Sequence, residues 1–177
     1  MKNLIPVQGI EPKISQNSFI APSAQIIGKV KAGKNCSFWF NSITRGDVNT
    51  IDIGDNVNIQ DGAVIHCTYK TAATSIGNNV SIGHNAIVHG CTVKDNVLIG
   101  MGAIVMDHAV IGEGSIIAAG AIVLENTEVP PGSIFGGIPA KFLKKADENN
   151  LKVIQRTPRN YLLYSSWFDP SIDPDAD

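Results

Sequence analysis

Charge is scarce in this chain of 177 residues: Asp, Glu, Lys and Arg together make up 17%, against about 25% in an average soluble domain. Positive charge is not in excess either. The net charge of −2 excludes the basic stripe that phosphate backbones require, so no nucleic-acid partner is expected. Three cysteines, an odd number in a chain this long, do not make a disulfide framework. No apolar run reaches 18 residues, and the opening MKNLIPVQGIEPKIS has no signal-peptide core, so neither a membrane-spanning helix nor secretion is expected. These absences point to a soluble protein of a reducing compartment, with the cytoplasm as the expected location. What remains is 44% hydrophobic, enough for the core of one domain.

The few charges are unevenly spread. Residues 14–127 carry 14 in 114 positions, whereas residues 128–177 carry 13 in 50. The charge-poor segment also repeats itself with a period of six. Its hexads begin at positions 14, 20, 26, 32, 38 and 44, at 53, 59 and 65, at 76, 82 and 88, and at 93, 99, 105, 111, 117 and 123. Fifteen of these eighteen first places are Ile or Val; Ala32, Phe38 and Thr44 are the others. The fourth place is Asn or Gly in twelve, and the fifth is small or β-branched in all but one, Tyr69. A β-branched residue suits a buried strand. Asn and Gly tolerate a left-handed corner. Each hexad is therefore a short strand plus a corner, three hexads close a triangular coil, and six coils stack as a parallel β-helix. This all-β solenoid is expected over residues 14–127, between an N-terminal segment (1–13) and a region (128–177) with a connector, a helix and a loose acidic tail. The register slips by three extra residues before position 53, by five before 76, and by one missing residue before 93. The largest insertion predicts a loop around 69–74, and loops on a rigid scaffold often border function.

The same phasing places the histidines. Residues three hexads apart stack about 4.8 Å from one another. Hexads 44, 65, 88 and 105 share a face, and their second places are Arg45, His66, His89 and Met106. His66 and His89 thus lie one above the other although 23 residues separate them. Two imidazoles so placed can share a metal. His84 belongs to the preceding face, in a column with Phe40, Asp61 and Met101. It meets the His66–His89 pair only if a second copy stands alongside, and a three-sided prism suggests a homotrimer. His108 falls at a corner as a turn residue. Cys91 is also expected at a corner, Cys36 inside, and Cys67 in packing.

The run Asn58-Ile59-Gln60-Asp61-Gly62-Ala63-Val64-Ile65-His66, then Gly83-His84-Asn85-Ala86-Ile87-Val88-His89-Gly90, resembles the γ-class carbonic anhydrases. Arg45-Gly46-Asp47 and Gly136-Gly137-Ile138-Pro139-Ala140-Lys141 match as well, so that the resemblance spans roughly residues 10–165. It implies a left-handed β-helix, a homotrimer, and one Zn²⁺ at each subunit interface, held by His66 and His89 of one subunit and His84 of another; Co²⁺ or Fe²⁺ also suit imidazole. By the same resemblance Arg45 and Asp47 form an ion pair between subunits, and Gln60 and Asp61 orient the reacting oxygen and bicarbonate. Tyr161 approaches the metal from the C-terminal helix. The implied reaction is reversible hydration of CO2 to bicarbonate, for which zinc ionises water near pH 7; carbonic anhydrase is the standard example.

The family's proton-carrying glutamates have no counterpart here. Val48 follows Asp47, and the loop Cys67-Thr68-Tyr69-Lys70-Thr71-Ala72-Ala73-Thr74-Ser75 holds no acid. Alternatives are a metal-dependent acyl-CoA thioesterase on a small thioester at the same site, or a non-catalytic metal-binding assembly subunit. Towards the C-terminus, Asp147 is expected to cap a helix, with Thr157-Pro158 restarting or kinking it.

Overall fold

The computed structural model describes residues 3–176; residues 1, 2 and 177, which belong to the expected N-terminal segment and tail, lie outside that range. The chain winds as a three-sided parallel β-solenoid. One face stacks Phe19–Ile20, Ser37–Phe38, Asn58–Ile59, Ser81–Ile82, Leu98–Ile99, Ile116–Ile117 and Ser133–Gly136. The second runs through Val64–His66, Ile87–His89, Ile104–Val105 and Ile122–Val123. The third runs through Thr74–Ile76, Thr92–Val93, Val110–Ile111 and Glu128–Val129. Two longer strands, Gln25–Ala32 and Ile43–Ile53, turn the corner without a break and join the second and third faces into one sheet.

The columns are the predicted ones. Ile59, Ile82, Ile99 and Ile117 stand in direct parallel register, all fully buried. Burying each such side chain stabilises the stack by about 1.5–3 kcal/mol. All twelve fourth-place Asn and Gly residues turn their corners with φ between 55° and 70°. His108 turns one too, at φ 61°. The backbone N–H and C=O groups go to neighbouring coils, as Leu98 N to Ser115 O at 3.1 Å and Gly100 N to Ile117 O at 2.7 Å illustrate.

The structure corrects the reading in four places. Parallel pairing continues past residue 127, through Glu128–Val129 and Ser133–Gly136, so the solenoid has about seven turns. Before residue 14, Leu4–Ile5 pairs with Ile26–Ile27, which adds the N-terminal segment to the second face. Cys91 is not at a corner but buried among the core side chains: Thr92 registers with Val110, which puts Cys91 beside the small, buried Ala109, while Gly90 takes the corner at φ 54°. The acidic tail is tied down. Asn17 and Asp173 exchange two hydrogen bonds, and Asn35 Nδ2 donates to the Ala176 carbonyl at 3.3 Å.

The C-terminal helix spans Glu148–Phe168. Asp147 caps it, accepting from Asn150 N while the Asn150 side chain accepts from Asp147 N, so two otherwise orphaned donors are satisfied. It passes Pro158 uninterrupted. Its inner side packs on the first face: Phe168 contacts Phe19, Trp39 and Phe40, and Tyr161 meets Trp39 edge-on at 5.2 Å. No helix among the described residues is long and apolar enough to cross a membrane.

Candidate metal centre

His66 and His89 end two neighbouring strands of the second face and are direct partners in the ladder. Side chains in register in a parallel sheet point the same way, so the rings meet: His66 Nδ1 lies 3.0 Å from His89 Nε2. Their outer nitrogens are both taken. His66 Nε2 is 3.0 Å from Asp47 Oδ1, and His89 Nδ1 is 2.5 Å from Asp107 Oδ1. Partial burial works to raise both carboxyls, but hydrogen bonds outweigh it and hold them below the usual carboxylate value. His66 and Arg45 do this for Asp47, Thr68 and His89 for Asp107. An ionised carboxylate only accepts. The outer nitrogen of each ring must therefore carry the proton, so in the neutral rings both inner nitrogens present lone pairs to each other.

His84 stands on the first face, over Asp61, with His84 Nδ1 2.8 Å from Asp61 Oδ2. Its backbone N–H donates to Gln60 Oε1 at 3.2 Å, and Gln60 Nε2 in turn donates to Asn58 Oδ1 at 3.0 Å. Gln60 is buried, so within one chain it anchors the start of the His84 turn. Gly83 lets the coils close there, since a Cβ on it would lie 2.6 Å from Met101 N. Tyr161 reaches across from the helix and sets its hydroxyl 3.3 Å from His84 Nε2. Burial, then the nearby Asp61 charge, pushes the Tyr161 phenol up to about 12, so it stays protonated.

One chain brings His66 and His89 together and leaves His84 apart. Among the described residues no group of three or more His, Cys, Asp or Glu could hold a metal by itself. The His66 side chain is 17% exposed, His89 33% and His84 39%, so all three candidates are partly open to solvent. Arg45 and Asp47, expected to pair between subunits, meet within one chain at 2.5 Å, because residues i and i+2 of a strand share a face.

Sequence reasoning missed Asp107, Thr68 and Thr74. Asp107 is legible once the shortened hexad is placed correctly. Val88 registers with Val105, and His108 N donates to Gly90 O, so Asp107 stands over the position that the missing residue would fill. Its side chain reaches down through that gap, and a Cβ on Gly90 would lie 2.3 Å from Asp107 Oδ1. Thr74 braces the pair: its hydroxyl donates to His66 O and accepts from Gly90 N at 3.0 Å.

Comparison with known proteins shows the family and the fold. A family model for the bacterial transferase hexapeptide (six repeats) matches residues 90–125, and one for the hexapeptide repeat of succinyl-transferase matches residues 73–106. The chain is 53% identical over 152 residues to the "Probable carbonic anhydrase" of Methanocaldococcus jannaschii, covering 86% of this chain and 95% of that protein. The chain belongs to the γ-class carbonic anhydrase-like family. It is also 40% identical to "Gamma carbonic anhydrase 2, mitochondrial" of Arabidopsis thaliana over 91% of its own length, but spans only 60% of that relative. Among solved structures, a hexapeptide transferase family protein from Anaplasma phagocytophilum superposes with a TM-score of 0.90 at 41% identity, over 95% of this chain and 99% of that one. The solenoid matches the left-handed β-helix of such folds.

Proposed function

We propose that this γ-class family member interconverts CO2 and bicarbonate as a metal-dependent homotrimer, with each cation held by His66 and His89 of one copy and His84 of the next. One observation carries the reading: each of the three histidines has its own aspartate at 2.5–3.0 Å, Asp47 on His66, Asp61 on His84 and Asp107 on His89. A carboxylate on the outer nitrogen is the usual companion of a metal-ligating imidazole, because it fixes the tautomer and raises the basicity of the nitrogen that binds.

The donor set fits a cation. Two lone pairs facing each other at 3.0 Å repel unless positive charge lies between them. Bonds of about 2.0–2.1 Å at a tetrahedral angle place two ligand nitrogens roughly 3.3 Å apart, within a few tenths of the observed distance. Three neutral imidazoles suit Zn²⁺, and also Co²⁺ or Fe²⁺. Such an ion supplies Lewis acidity that ionises water near neutral pH.

The remaining work falls to the chain's own groups. Asp47, Asp61 and Asp107 orient the rings. Gln60 fixes the backbone at His84. Tyr161, protonated, offers a hydroxyl beside His84 Nε2 and can hydrogen-bond an oxygen of the substrate. No acid in the loop after His66 is available to carry protons outward, so they leave through another group or through buffer.

Metal analysis of the purified protein, with CO2 hydration measured on zinc-loaded protein and on His89→Ala, tests the reading. Stoichiometric zinc with buffer-dependent hydration, both lost in the variant, is the expected result. Hydration equal in the two proteins overturns it. Zinc without hydration would leave thioester hydrolysis or an assembly role to be assayed on the same preparations.

A further inference from the structure

The insertion that follows His66 begins with a residue doing more than closing a turn. Thr68 pairs with Ala72 by two backbone hydrogen bonds, Thr68 N to Ala72 O at 2.9 Å and Ala72 N to Thr68 O at 3.4 Å, and Lys70 turns the tip at φ 60°. Asn49 Nδ2, from the strand through the preceding corner, donates to the Thr68 carbonyl at 3.1 Å. With its backbone held on both sides, Thr68 has a fixed direction for its hydroxyl. That hydroxyl donates to Asp107 Oδ2 at 2.5 Å, while Asp107 Oδ1 takes the His89 ring at 2.5 Å.

We propose that Thr68 and Asp107 are positioning residues: the insertion delivers a hydroxyl that holds Asp107, and Asp107 fixes the His89 proton on Nδ1, turning the Nε2 lone pair toward His66. Each part has a physical reason. A carboxylate in an open gap would rotate among rotamers, but one with both oxygens engaged is held in a single orientation. The missing residue at Gly90 provides the opening, and the absent Cβ keeps it clear. The acid-free loop thus serves ligand geometry. As a role in metal binding this rests on the hydratase reading; as a statement about the His89 ring it stands alone.

The test uses metal-free full-length protein, ¹⁵N-labelled at histidine, at about pH 8, above the ordinary imidazole value. Two-bond imidazole spectra report which nitrogen carries the proton, with His89 assigned by difference against His89→Ala. The wild type shows His89 protonated on Nδ1. Thr68→Val mixes the tautomers and weakens Zn²⁺ binding about tenfold, Asp107→Asn weakens it by about 10–100-fold, and Thr68→Ser stays within about twofold of wild type. A wild-type ring protonated on Nε2 overturns the proposal, and so does a Thr68→Val protein whose spectra and Zn²⁺ affinity match wild type. If Asp107→Asn does not fold, the Val and Ser variants of Thr68 decide. If wild-type protein binds no Zn²⁺, the hydratase reading fails while the spectra still judge the ring.

Discussion

The coils above position 93 and those between positions 44 and 93 share one architecture but differ in how polar groups are used. From Val93 to Asn126 the six-residue period never slips, and the chain satisfies itself mainly through backbone hydrogen bonds between coils. Between Thr44 and Val93 the period slips three times, and alongside the backbone ladder the side chains of Asp47 and His66 bond each other, Thr74 bonds the backbone, and Thr68 and His89 both bond Asp107 from the coil above. A perfect repeat leaves each outward place above the equivalent place of the next coil. Each slip displaces that stacking and brings unlike groups together. Regularity supplies stiffness here, and its interruptions supply chemistry.

Four substitutions test where that contrast lies. Gly83→Ala should do the most damage, because the new Cβ meets the Met101 backbone at 2.6 Å. Overpacking of this kind costs about 3 kcal/mol, read from urea unfolding, and the shift should also disturb His84. Thr74→Val keeps the shape of a buried residue and removes the brace between His66 O and Gly90 N; about 2 kcal/mol should be lost, together with zinc affinity. Asn126→Ala probes a corner of the regular coils, one whose backbone N–H donates to the Asp107 carbonyl at 3.1 Å. Asn126 is exposed and sits at φ 60°, so the change costs about 1 kcal/mol in backbone strain and leaves zinc binding untouched. Loss of zinc binding there would break the contrast. Thr44→Val should raise stability, by about 0.5–1 kcal/mol, since Thr44 is fully buried and its hydroxyl has no hydrogen-bond partner among the described residues.

Much of this was legible beforehand, and for physical reasons. A buried column tolerates few residue types, so Ile82, Ile99 and Ile117 announced their register, and with it the His66–His89 contact across 23 residues. Left-handed corners are just as selective, which is why His108 was placed correctly. Reading failed where selectivity lapses. The shortened hexad could lose its residue on either side of Gly90, and the period alone does not say which; that ambiguity misplaced Cys91 and concealed Asp107. The strand Ile43–Ile53 runs straight through its corner, which a period of six does not show. Nor does an acidic, proline-broken tail reveal that Asn17 and Asn35 will bind its backbone.

That tail has a mechanical consequence. A column whose layers touch only their neighbours can fray from either end, one layer at a time. Here the helix leaves the last coil, runs back along the column to pack Phe168 on Phe19, and hands over to Asp173 at Asn17. The final layer is thereby stitched to the first, and neither end can peel away without straining the other. Unfolding should therefore resemble the opening of a clasp more than the unravelling of a rope.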